Sequence, residues 1–80
     1  MMIMGQEKNK LINIAHVKKI FVIGNSEIGQ VIAEDVKGVD ILLGEYKSMK
    51  RAYLILEEIL GRFSEDSWFG PPMTYRMPKE

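Results

Sequence analysis

Few residues in this chain have the type and spacing that chemistry requires. His16 is the single histidine, and there is no cysteine. A metal site needs several ligands held together, and a thiol nucleophile needs a cysteine, so the sequence predicts neither. His16 is interpreted as a surface or turn residue, and no cofactor is expected.

The acidic residues do not suggest acid–base catalysis. Neighbouring residues on a strand or helix point in different directions, so adjacent carboxylates do not form a dyad. The segment Gly24–Gly29 superficially resembles a phosphate-binding loop, but it lacks the Lys-Ser/Thr that follows such a loop. The chain is therefore predicted not to be an enzyme. The adjacent pairs are Glu34-Asp35, Glu57-Glu58 and Glu65-Asp66.

Length and composition predict one small globular domain over residues 1–80. The apolar share of 46% is ordinary for a folded protein. Without disulfides, stability must come from burial, which oligomerisation would increase. No segment is long and apolar enough to span a bilayer, and Met1–Met4 is too short for a signal-peptide core. We expect a cytoplasmic protein with no membrane partner.

The elements that would position any site form an α+β fold. Val17–Ile23, Ile28–Asp35 and Asp40–Glu45 are rich in β-formers and are separated by short Gly-containing turns, which predicts an antiparallel β-meander. Met1–Met4, Leu11–Ile14 and Met73–Met77 are candidate further strands. The prediction is a meander of four to five short strands with one α-helix packed on one face.

The helix is predicted from its cap and its periodicity. Ser48 is the expected N-cap, because its hydroxyl can accept a hydrogen bond from the first helical turn. Ile55 is predicted at the edge of the apolar stripe, and the helix is expected to end near Gly61–Phe63. The stripe predicted to face the core consists of Met49, Ala52, Tyr53, Leu56, Ile59, Leu60 and Phe63.

The opposite face of the helix suggests self-association. Leu54 lies there, with Lys50 and Arg51 before it and Glu57 and Glu58 after it, an order that the helix dipole disfavours. Two copies packed antiparallel about a two-fold axis at Leu54 would place each basic residue opposite an acid. The hypothesis is a homodimer through these five residues. The alternative is a solvated face with one exposed leucine.

The same basic residues allow a second hypothesis. Lys47, Lys50 and Arg51 surround the helix N-terminus that Ser48 caps. Free N–H groups and the positive end of the helix dipole favour anions at such a position. A phosphate, a nucleotide or an acidic partner is therefore a candidate ligand.

Two further stretches are candidate contact surfaces. Trp68 and Phe69, together with Tyr75, are candidates for an aromatic surface that contacts a protein partner, since such anchors often dominate interface energy. The alternative is that the loop carrying Trp68 packs onto the core. A basic N-terminal half offers a possible nucleic-acid surface with Phe21, although the equal numbers of acidic and basic residues, 11 each, argue against strong binding. Its basic residues are Lys8, Lys10, Lys18 and Lys19.

Parts of the sequence resemble a group of small proteins from Firmicutes and their phages. The resemblance is carried by Lys10–Ile14, Val17–Val22 and Tyr75–Pro78, and most specifically by Leu43–Tyr46 with Ser48 and Ala52. It implies a cytoplasmic accessory protein, often carried by phages or mobile elements, with no activity or binding residue to transfer. The chain departs from that pattern at Met49–Arg51, where such proteins tend to be acidic, and at Trp68–Pro72.

The sequence thus favours a non-enzymatic binding protein that acts as a homo-oligomer. An inhibitor of a host defence protein or enzyme, or a protein that sequesters a ligand, would fit this class. The alternative is a nucleic-acid-binding module that uses the basic N-terminal half.

Overall fold

The computed structural model describes residues 1–66 and 73–80, and this part of the chain contains six strands, a 3₁₀ helix and an α-helix. The α+β class is confirmed. The elements in chain order are β1 (Met2–Met4), β2 (Leu11–Asn13), the 3₁₀ helix (Ile14–His16), β3 (Val17–Gly24), β4 (Gly29–Asp35), β5 (Asp40–Tyr46), α1 (Met49–Asp66) and β6 (Thr74–Arg76).

The predicted meander forms one sheet, in the order β3-β4-β5 with antiparallel neighbours. Each hairpin is closed by an Asx-type turn, in which a side-chain oxygen accepts backbone N–H groups. Asn25 accepts from Glu27 and Ile28 at 2.8 and 3.0 Å. Asp35 accepts from Lys37 and Val39 at 2.8 and 2.9 Å. The sequence predicts these turns from their glycines, and Gly24 and Gly38 have positive φ, at 144° and 86°.

The three remaining strands form a second sheet that the sequence did not predict. Its order is β2-β1-β6, with β1 antiparallel to β2 and parallel to β6. In the part of the chain that the structure describes, the four to five predicted strands are thus six short strands, divided between two sheets. Parallel pairing joins Ile3 to Tyr75, and no local turn marks a contact between segments so far apart in sequence.

One core lies between the two sheets and α1. The larger sheet is β3-β4-β5, which has the longer strands. Its inner face carries Ile20 and Val22 from β3. This is the face that the helix covers, a point that the sequence left open. Phe21 and Ile32 lie on the opposite face. The fully buried side chains Ile3 and Ile55 show that the small sheet and the helix share this core. The buried cluster comprises Ile3, Val31, Ala33, Leu43, Tyr46, Ala52, Ile55, Ile59, Tyr75 and Met77.

The helix is rotated relative to the prediction. Ile55, placed at the edge of the predicted stripe, is buried with Ala52 and Ile59. Tyr53, Leu60 and Phe63 were assigned to the core but are about half exposed or more. The helix also continues through Gly61 to Asp66, beyond the predicted end.

Candidate functional site

An open apolar groove runs along one side of α1, and we call it the helix–strand groove. It has a volume of about 720 Å³. It exists because the larger sheet covers only the Ala52–Ile55–Ile59 face of the helix and leaves the adjacent apolar face in solvent. One wall is formed by Tyr53, Leu56, Ile59, Leu60 and Phe63, and the other by Ile14, Val17 and Ile20.

The groove has a charged rim. Lys18 and Lys19 lie on the strand side and Glu57 lies on the helix side. Both lysines pair with Glu34, at 3.6 and 3.5 Å between Nζ and the carboxylate. Lys19 also lies 5.1 Å from the centre of the Phe21 ring, a cation–π distance. An apolar floor with a polar rim is the usual anatomy of a protein-contact surface.

The strand wall belongs to an edge strand. Within the described residues, no strand pairs with the outer side of β3. A register shift between Val17 and Lys19 marks a β-bulge at its beginning. Edge lysines and bulges discourage the addition of further strands.

The outer side of β5, by contrast, is covered by Gln6. The Gln6 N–H donates to the Leu43 carbonyl at 2.8 Å. Its side-chain amide accepts from the Glu45 N–H at 2.8 Å and donates to the Glu45 carbonyl at 3.0 Å. One glutamine thus makes the bonds that a neighbouring strand would make. The sequence offered no signal for this role.

The five residues of the hypothesised Leu54 interface occupy different environments. Leu54 is 50% exposed, and Lys50 and Glu57 are also exposed. Glu58 accepts a hydrogen bond from the Tyr75 hydroxyl at 2.8 Å. Arg51 donates to the backbone oxygen of Glu80 at 2.8 and 3.2 Å. Two of the four charged residues therefore already have partners within the chain.

The helix start is capped as predicted. The Ser48 hydroxyl oxygen accepts from the Arg51 N–H at 3.1 Å. Residues 78–80 contact the site of the hypothesised anion ligand, which consists of Lys47, Ser48, Lys50 and Arg51, and its neighbour Tyr46. Tyr46 donates to the Pro78 carbonyl at 2.7 Å, and Arg51 holds Glu80. A backbone oxygen thus already lies on the guanidinium that an anion would use.

The remaining candidate residues are dispersed. Tyr75, proposed as a partner contact, is 4% exposed and lies in the core, so it does not present an aromatic surface. Trp68 and Phe69 lie outside the described residues. His16 is exposed in the 3₁₀ helix, in agreement with its interpretation. Of the basic N-terminal residues, Lys10 donates to the Leu42 carbonyl at 3.5 Å, while Lys18 and Lys19 both form ion pairs with Glu34.

Sequence reasoning missed the groove because it assigned the whole apolar stripe of the helix to the core. No sequence signal marks the groove, because seven apolar positions over about four helical turns are the ordinary density of a core-facing stripe. In residues 1–66 and 73–80, no group of three or more potential ligands could hold a metal ion. In the same residues, no helix has the length and apolar character needed to cross a membrane.

No protein-family model, curated protein or solved structure matches this chain.

Proposed function

We propose that this chain is a non-enzymatic binding protein that works by contact with another polypeptide, and that the helix–strand groove is its contact surface. The observation that carries the proposal is the continuous exposure of apolar side chains along one helix face. Leu60 is 65% exposed, Tyr53 49% and Phe63 45%. Exposed apolar residues are common singly, but contiguous patches with a polar rim mark interaction sites.

The form of the groove supports a polypeptide rather than a small polar ligand. Its walls are aliphatic and aromatic, and its charges lie at the rim. A helix or an apolar segment gains most of its affinity by burying such surface. The resemblance to small proteins of Firmicutes and their phages implies an accessory protein without a catalytic signature, which is compatible with this class.

Site-specific photo-crosslinking tests this proposal with an internal control. Tyr53 and Leu54 are adjacent and almost equally exposed, at 49% and 50%, but only Tyr53 lines the groove. A photoreactive phenylalanine at position 53 should crosslink to a second polypeptide with several-fold higher yield than one at position 54. That polypeptide is either a second copy of this chain or another protein. Equal yields at the two positions, or none, would contradict the proposal.

A further inference from the structure

We infer that the groove is filled by α1 of a second copy of this chain, packed antiparallel to the first. The inference rests on the proposed function and names the partner. It differs from the Leu54-centred pairing in the side of the helix that it uses. Three observations carry it: the spacing of the apolar residues, the nature of the strand wall, and the charges beside the seam.

The spacing is that of a helix–helix seam. Met49, Tyr53, Leu56, Leu60 and Phe63 follow one another at alternating intervals of four and three residues. This a/d pattern is the one with which two helices pack side chains into each other's gaps. Because the chain's own sheet covers the adjacent Ala52–Ile55–Ile59 face, the seam is free to meet a second helix.

The strand wall favours a helix over a strand as the occupant. The bulge between Val17 and Lys19, and the two lysines beside it, obstruct strand addition at this end of β3. The side chains of Ile14, Val17 and Ile20 still form an apolar surface below the seam. An incoming helix can bury these side chains without hydrogen bonds to the β3 backbone.

The charges beside the seam favour a second copy of this chain as the partner and favour one register of the two antiparallel helices. Lys50 and Glu57 lie on the same flank of the seam, on the side away from the buried Ala52–Ile55–Ile59 face, and are exposed. If Tyr53 packs against Leu56 of the second copy, antiparallel geometry places Lys50 opposite Glu57 of that copy, and the two-fold axis repeats the pair. A register shifted along the seam, pairing Leu56 with Leu60, would oppose Glu57 to its own copy. Like-charge opposition is unfavourable, so the first register is the expected one.

Charge reversal tests the register directly. Lys50→Glu and Glu57→Lys should each raise the dimer dissociation constant by roughly tenfold or more, because each change creates two like-charge contacts. The double variant should restore the dimer, measured by sedimentation equilibrium at low salt. In the Leu54-centred dimer, the double variant would place the new acid at position 50 opposite Glu58 and the new base at position 57 opposite Arg51. Failure of the double variant to recover would therefore overturn the inferred register.

A pair of leucine variants tests the surface. Leu60→Glu should make the protein monomeric, whereas Leu54→Glu should leave the dimer intact, since both leucines are exposed but only Leu60 lies in the groove. Circular dichroism melting checks that both variants stay folded. A Leu54→Glu monomer alongside a Leu60→Glu dimer would overturn the inference in favour of the other face.

The outcome also separates this inference from the proposed function. A wild-type chain that stays monomeric at high micromolar concentration would overturn self-association. If position 53 nevertheless crosslinks to a different protein, the groove is a binding surface for that protein and the proposed function stands. If the chain stays monomeric and position 53 crosslinks to no protein, both the inferred dimer and the proposed function are contradicted.

Discussion

The Tyr75 hydroxyl donates a hydrogen bond to the Glu58 carboxylate at 2.8 Å, which joins the last strand to the outer flank of the helix. Tyr75 is otherwise buried, so its hydroxyl needs this acceptor to offset its desolvation. β6 is only three residues long, and this bond fixes it to α1.

Tyr75→Phe should therefore lower the free energy of unfolding by about 1.5–3 kcal/mol, the cost of losing a hydrogen bond to a charged acceptor. Tyr53→Phe is the matched control, because the Tyr53 side chain is half exposed, and it should change stability by less than about 0.5 kcal/mol. Urea denaturation of the two variants makes the comparison. Equal effects would show that the Tyr75–Glu58 bond contributes nothing specific.

Stability should fall at alkaline pH because of two buried tyrosines. Burial raises the pKa of Tyr46 to about 12, although the nearby Arg51 lowers it in part. Burial and the bond to Glu58 raise the pKa of Tyr75 above its ordinary value. Above the ordinary value of 10.0, the unfolded chain loses these protons first, so stability is complete below pH 10 and is lost as pH rises towards 12.

The midpoint of urea unfolding, measured between pH 10 and pH 12, checks this pH dependence. In Tyr46→Phe the urea midpoint should fall less steeply with pH, because phenylalanine has no proton to lose. Absorbance at 295 nm assigns the ionisation, and the late component near pH 12 should disappear in the same variant. A slope unchanged in Tyr46→Phe would show that other groups cause the alkaline loss.

Substitution by alanine should have opposite effects on stability at two of the glycines. A Cβ at Gly29 would lie 2.8 Å from the Met49 Cα and would also meet the Ser48 carbonyl oxygen, so the start of β4 and the start of α1 would have to separate. Gly29→Ala is expected to cost about 1–3 kcal/mol or more. Gly61 has open space at its Cβ position within α1, and Gly61→Ala should stabilise the protein by about 0.5–1 kcal/mol. Thermal melts of both variants give the sign of each effect.

The rotation of the helix can be tested with neighbouring residues. Ile55 is 1% exposed and Leu54 is 50% exposed. Ile55→Ala should cost about 2–5 kcal/mol by leaving a cavity, and Leu54→Ala should cost less than about 0.5 kcal/mol. Chemical denaturation of both variants measures the difference. Similar losses at the two positions would mean that α1 is oriented differently.

What could be predicted from the sequence was local. The Ser48 cap, the two hairpin turns and the meander that they connect depend on residues within a few positions of one another, and all are present. The second sheet was missed because its central strand, β1, pairs in parallel with β6, a segment far away in sequence that no local turn connects to it. The helix–strand groove was missed because periodicity shows how much of a helix is apolar, but not how much of it the fold covers.

The place of β1 between β2 and β6 has a consequence for how the chain acquires its structure. The helix and the β3-β4-β5 sheet are assembled from segments that follow one another directly, whereas Ile3 must wait for Tyr75 before its parallel partner exists. Contacts so distant in sequence form slowly. On a ribosome, which makes the chain from its first residues onward, the meander and α1 can form first. β1 therefore emerges before the meander but is among the last strands to complete its pairing.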